Sequence, residues 1–168
     1  MTILERIRGL RQPILMVICT LLILGFFVPW VTNNPDLETF AYSEIKLSGF
    51  DIFRGYQSLV AVVDPLISTL GYAALGKLLY LGYILILLPV ISVASIVLLG
   101  IRHAKASLVT WINFVAHTVL VLGLFLLIMI NGDLRTLFFT IMSFSLGYYL
   151  MMLMSILGVV TLVITRRK

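Results

Sequence analysis

Residues 29–51 read PWVTNNPDLETFAYSEIKLSGFD, and they are the only long polar stretch in a chain that is otherwise mostly hydrocarbon. Four of the seven acidic residues fall inside this stretch: Asp36, Glu38, Glu44 and Asp51. Working outward from it, the apolar runs on either side determine what the stretch is. Uncharged runs occur at Pro13–Trp30, Leu78–Ile101, Ser107–Ile130 and Thr136–Thr165. A helix that crosses a bilayer needs about 20 apolar residues, within a range of roughly 17–25. The runs therefore predict an all-α integral membrane protein with spans at about 13–31, 78–101, 107–130 and 136–165. An outer cap over 32–77 and a single domain over 1–168 complete this reading.

Composition points the same way. The chain has 168 residues, of which 61% are hydrophobic and 11% charged, against about 25% charged in ordinary globular domains. A soluble core of this length cannot hide so much apolar surface. The net charge of +5 accordingly reads as topology, and no nucleic-acid partner is expected. The basic residues sit at the ends of apolar runs instead of along one soluble face. The single cysteine, Cys19, allows no intramolecular disulfide and no CxxC pair; it reads as a small buried hydrophobe.

Charge also orients the chain. With the N-terminus inside, Arg6, Arg8, Arg11, Arg102, Lys105, Arg166, Arg167 and Lys168 lie inside with one acid, Glu5. Lys46, Arg54, Lys77 and Arg135 lie outside with the other six acids. The positive-inside bias favours this arrangement, with both termini cytoplasmic and the quoted stretch outside. The bulky Phe27, Val28, Pro29 and Trp30 stand where a signal peptide would carry a small-residue cleavage site, so the first span is expected to be retained. Trp30 reads as an interfacial anchor, and Pro35 ends any helix before it. The alternation over FAYSEIKLSGFDIF predicts a short strand. Asp64 and Pro65 near the middle of 57–76 argue against a fifth span and for a surface helix that Asp64 caps.

Polar groups inside the spans are the candidate site. Thr110, Asn113 and His117 fall on one face of the third span, and read either as a polar route or as hydrogen-bonded helix contacts. Ser143 and Gly147 form a small-xxx-small pair in the fourth span. With Trp30 and Phe50 they make a candidate interface within the bundle, between copies or toward a partner. Ser92 with Ser95 and Ser155 with Gly158 are similar pairs at a spacing of three. Met151, Met152 and Met154 read as core filler, since no convergent set of soft ligands accompanies them for a metal.

Several functions can be set aside on motif grounds. DsbB-like oxidoreductases need outer cysteine pairs, which are missing. Lipoprotein signal peptidases need two aspartates in Asn-containing motifs. Asp133 in NGDLR and Asp64 in VVDP form a candidate outer site, but the FN-x-A-D pattern is missing. The claudin signature lacks its cysteines here, and the P-loop, GxSxG and HExxH are absent. No cofactor is expected.

FFVPWVT at 26–32 followed by LSGFDIFRG at 47–55 resembles a loose group of small bacterial four-span inner-membrane proteins of unassigned function. The resemblance covers about 30 residues and implies a bacterial inner membrane and no activity. The expected function is thus non-enzymatic: an assembly or partner-binding subunit in the lipid bilayer, as a homo-oligomer or with another membrane subunit. A transporter or channel component is the alternative, and an intramembrane enzyme the third.

Overall fold

A computed structural model describes residues 10–33, 46–55 and 84–165. The elements in chain order are α1 (Arg11–Phe27), β1 (Pro29–Asn33), β2 (Lys46–Ser48), α2 (Ile84–Gly100), α3 (Ala106–Ile130), α4 (Gly132–Ile141), β3 (Met142–Phe144) and α5 (Leu146–Ile164). Residues 49–55 are helical as well. Two helices, α3 and α5, are long and apolar enough to cross a membrane, while α1 and α2 are shorter apolar helices of 17 residues each.

The long helices form a ring: α1 packs on α2 and α5, and α3 packs on the same two. The buried stripe of α1 (Leu15, Ile18, Cys19, Leu22, Gly25, Phe26) recurs at three- and four-residue steps, as one face of a 3.6-residue helix requires. The distribution of polarity departs from that of a soluble bundle: beside an apolar core several polar side chains are buried, and many apolar ones are exposed. Ser92, Ser95, Thr110, Asn113, His117 and Ser155 are buried. Val17, Val90, Val97, Val119, Leu126 and Leu153 are exposed.

The fourth apolar run departs from expectation. It is not one helix over 136–165 but a short helix, α4, then the strand β3, then α5, which starts only at Leu146. Thirty helical residues would reach about 45 Å, against a hydrocarbon core of about 30 Å. The excess is folded back at one end. The first run also ends early, with α1 stopping at Phe27 and the chain continuing as β1. In the second run the described helix begins at Ile84, and the surface helix foreseen over 57–76 lies outside the described residues.

The sheet has the order β2-β1-β3, antiparallel throughout. Val31 pairs with Leu47 on one side and Phe144 on the other, with an irregularity between Pro29 and Val31. The expected strand in the polar stretch is thus present as β2 at Lys46–Ser48. Ser48 then starts the helical segment 49–55 with a capping box. Its hydroxyl accepts from the Asp51 N–H at 3.1 Å, and an Asp51 carboxylate oxygen accepts from the Ser48 N–H at 3.0 Å and from its hydroxyl at 2.6 Å. The Ser48 hydroxyl, then its N–H, hold the Asp51 carboxyl below the usual carboxylate range, with Arg54 adding to the effect.

Trp30 corrects a second expectation. It is 2% exposed and faces inward instead of anchoring at the lipid headgroups. Its indole N–H donates to the Gly25 carbonyl at 2.9 Å. Residue 29 would normally serve that carbonyl through the helical ladder, but Pro29 has no N–H to give. The ring packs edge-on to Phe26 at 5.9 Å and to Tyr148 at 6.5 Å.

At the opposite end α2 closes in a Schellman turn: His103 N–H donates to the Leu98 carbonyl at 2.9 Å and Arg102 N–H to Leu99 at 3.1 Å. Arg102 occupies the left-handed position at φ 53°, where glycine is usual and an L-residue costs about 1–2 kcal/mol.

At Gly147 two backbones approach closely. A Cβ there would stand 2.5 Å from the Val28 carbonyl oxygen and 2.6 Å from that of Pro29. Gly147→Ala is therefore expected to lower the unfolding free energy in detergent by about 1–3 kcal/mol, the usual cost of overpacking. At Gly123, where a Cβ meets nothing within 4 Å, alanine should be neutral or stabilising by up to about 1 kcal/mol. Equal melting of the Gly147→Ala and wild-type proteins would show that the α5 backbone is not seated on this corner.

Candidate functional site

Thr110, Asn113 and His117 all lie on the buried face of α3, at exposures of 0%, 0% and 1%. Their shared face was legible from the spacing; their division of labour was not. Only Asn113 reaches other helices. Its side-chain oxygen accepts from the Ser92 hydroxyl of α2 at 2.9 Å, and its amide NH₂ lies 3.5 Å from the Cys19 sulfur of α1. Three helices thus meet on one amide. Cys19, which reads from sequence as a small buried hydrophobe, is also a weak acceptor here.

The neighbours bond along their own helix. The Thr110 hydroxyl donates to the Ala106 carbonyl at 2.7 Å, a back-bond that satisfies a hydroxyl without linking helices. His117 Nδ1 lies 2.8 Å from the Asn113 carbonyl. A carbonyl only accepts, so Nδ1 carries the proton and Nε2 presents a lone pair. That lone pair and the Thr118 hydroxyl are both buried without a hydrogen-bond partner. An unmet buried acceptor costs about 1–3 kcal/mol, which makes His117 the least settled group in the bundle.

Other polar groups follow the same division. Ser95 and Ser155 donate to the Ile91 and Met152 carbonyls of their own helices at 2.8 and 3.0 Å. Gly158 lies under the ring of Phe114, where a Cβ would meet ring carbons at 2.6 Å. Gly158 therefore leaves room for the Phe114 ring between α3 and α5. Met151 is fully buried, with its sulfur 2.9 Å from a Cβ placed on Gly25, in keeping with its reading as core filler.

The candidate outer site is not assembled by the described residues. Asp133 is exposed in the first turn of α4, where its N–H donates to the Asn131 side-chain oxygen at 3.1 Å; Asn131 is thus a helix cap. Asp64 lies outside the described residues. Among the described residues no cluster of three His, Cys, Asp or Glu side chains is arranged to hold a metal ion.

The candidate interface is redistributed. Gly147 is spent inside the protomer against Val28 and Pro29, and Trp30 is buried. Ser143 lies not in mid-span but in β3, within 3.2 Å of the Thr32 hydroxyl on β1. Phe50 is half-buried and tilts against Phe27 at 5.6 Å. The aromatic residue that sequence reasoning missed is Phe144. It stacks on Tyr148 at 4.1 Å and meets Phe138 at 4.7 Å and Phe125 at 6.0 Å. The Tyr148 hydroxyl in turn donates to the Val121 carbonyl. The signal for this cluster was the length of the fourth run and the alternation of Ser143, Phe144 and Ser145.

Comparisons with protein-family models, curated proteins and solved structures find no match to this chain. Function must therefore be argued from the arrangement itself, and Asn113 is its best-defined element. A double-mutant cycle between Ser92→Ala and Asn113→Ala is expected to show a coupling of about 0.6 kcal/mol and at most about 1.7, the measured range for hydrogen bonds between helices in lipid. Unfolding in mixed micelles measures it. Strict additivity of the two changes would remove Asn113 from its bridging role.

Proposed function

We propose that this chain is a multi-pass protein of the bacterial inner membrane that crosses it four times and acts, without catalysis, as an assembly or partner-binding subunit. The observation that carries this reading is the closure of the polar seam: Asn113 spends its side chain on Ser92 and Cys19. Groups that bond each other across helices act as glue in lipid, so function falls to the surfaces. The exposed apolar faces of all four long helices support a lipid environment, and the extended residues after α1 lengthen its 17-residue span. Arg11, Arg102 and Lys105 gather where α1 begins and α2 passes to α3; Asp51 and Asp133 lie at the sheet end beside Lys46, Arg54 and Arg135. The cytoplasmic placement of the termini therefore rests on the count over the whole sequence, eight basic residues against four, and the bacterial assignment rests on the PWV and LSGFD resemblance.

The surface offered to a second copy or a membrane partner is the corner between α4 and α5. Phe139 and Tyr149 are exposed there and both touch Phe144, at 6.1 and 6.4 Å. Exposed aromatic residues are favoured at interfaces. A second reading, transport or conduction, is favoured by one observation, the unpartnered Nε2 of buried His117. Loss of a flux on His117→Leu with assembly intact would select it.

Two measurements test the proposal. Reporters fused at Lys105 and Lys168 should read cytoplasmic, and a tag within 33–44 should be reached from outside; the reverse pattern overturns the orientation. Phe139→Ser combined with Tyr149→Ser should reduce the mass of the particle in mild detergent to that of the protomer, with the melting temperature nearly unchanged. A wild-type mass in the double variant removes this corner as the interface.

A further inference from the structure

A cavity of about 360 Å³ opens at the end of the bundle where α1 begins and α2 passes to α3. Its polar lining comes from Arg11, Gln12, Arg102, His103 and Ser107, with no acidic side chain among the described lining residues. The hydrogen bonds within it leave donors open. One Arg11 guanidinium nitrogen donates to the Ser107 hydroxyl oxygen at 3.1 Å, so the serine proton stays available. Arg11 Nε is buried without a partner. The Lys105 N–H donates to His103 Nδ1 at 3.1 Å, which places the proton of the neutral ring on Nε2, a further donor. Arg102 is held at the rim in a left-handed conformation that glycine would adopt without strain. Neither α1 nor α3, which both start here, has a side-chain cap or an acid in its first turn, so their positive ends add to the field.

The surroundings of the cavity are apolar. Leu10, Ile101 and Leu108, next in sequence to Arg11, Arg102 and Ser107, are 57%, 66% and 60% exposed. A ligand that fits both features has an anionic head and hydrocarbon tails. We propose that the cavity binds the phosphodiester headgroup of an anionic phospholipid such as phosphatidylglycerol, with its acyl chains lying along Leu10, Ile101 and Leu108. The volume corresponds to about twelve waters, which is room for a phosphoglycerol group. A zwitterionic lipid also carries a phosphate, but its ammonium meets no carboxylate in this lining. The site thus selects for net negative charge, as basic pockets between helices at the cytoplasmic surface do. The inference goes beyond the assembly role but rests on the proposed membrane placement; it uses neither Asn113 nor the α4–α5 corner, so failure of the interface test leaves it standing.

Native mass spectrometry of the full chain in neutral detergent, titrated with phosphatidylglycerol, phosphatidylethanolamine or inorganic phosphate, tests it. The wild type should retain phosphatidylglycerol in clear preference to phosphatidylethanolamine. Arg11→Gln and Arg102→Gly should each weaken phosphatidylglycerol retention about fivefold, the contribution of one basic residue near an anionic headgroup. Arg102→Gly keeps the left-handed turn, so its melting temperature with phosphatidylethanolamine should be no lower than that of the wild type, which separates lost binding from lost folding. Equal retention of the two lipids by the wild type overturns the proposal. So does a preference unchanged in both variants. Displacement of phosphatidylglycerol by inorganic phosphate shows that the cavity takes the free anion and overturns the lipid assignment.

Discussion

The bond from the Trp30 indole to the Gly25 carbonyl is the constraint on which the sheet end of this protein depends. Proline at 29 stops α1 by withholding the N–H that Gly25 needs, and tryptophan one residue later supplies another donor to the same oxygen. The chain can therefore leave the helix as a strand without stranding a carbonyl inside the protein. Once β1 is fixed, both of its edges are used: β2 and β3 pair on either side, and the Trp30 carbonyl accepts from Ser145 at 2.8 Å. That last bond sets where α5 begins. Gly147 then seats against the Val28 and Pro29 carbonyls. Gly49 leaves space under Trp30 and Phe26, where a Cβ would lie 2.7 and 2.8 Å from ring carbons. Three segments distant in sequence, around residues 30, 49 and 147, thus meet at the turn that this side chain stabilises.

At this corner the segments PWV and LSGFD meet. They are neighbours in space: β1 follows Pro29, β2 ends at Ser48, and the capping box from Ser48 to Asp51 starts a helical turn whose Gly49 touches Trp30. Each residue of the second segment has a physical task. Serine and aspartate cap, glycine permits contact with the indole, and Phe50 covers Phe27. A turn sequence with these tasks reads from the chain alone as a weak local signal, because the partner that gives it meaning is almost twenty residues away.

The elements legible in the sequence were those fixed by local periodicity and solvent preference. The central two helices, the polar row on α3 and a strand near residue 46 all follow from spacing. The elements that were not legible depend on contacts between remote segments. Trp30 at the end of an apolar run has the composition of a lipid anchor, and only the orphaned Gly25 carbonyl turns it inward. The break at 142–145 is faint in hydropathy, because the apolar Met142 and Phe144 alternate with only two serines. Length was the usable sign, since a 30-residue run is too long for one crossing. For the site, the helical face could be deduced but the hydrogen bonds could not. Thr110 and His117 bond their own backbone while Asn113 alone crosses to α1 and α2, a choice set by the neighbouring helices.

The two ends of the bundle differ in how they satisfy their polar groups. At the sheet end, Ser48 and Asp51 cap 49–55 and Asn131 caps α4, while α5 starts at Ser145 without a side-chain cap but with the Ser145 N–H donating to the Trp30 carbonyl. Strands and stacked rings cover the rest. At the other end α1 and α3 begin without side-chain caps, and an arginine nitrogen is buried without an acceptor. A helix start that lacks an internal acceptor must find one outside. Water can serve, but Leu10, Ile101 and Leu108 are exposed apolar side chains at this rim, as a lipid boundary would require. In the orientation we propose, the acceptors at hand are the oxygens of lipid headgroups, which are net anionic on the cytoplasmic face. In that orientation the cations that would place this end in the cytoplasm and the donors that line the cavity express one requirement: among the described residues, this end carries no acid of its own to meet them.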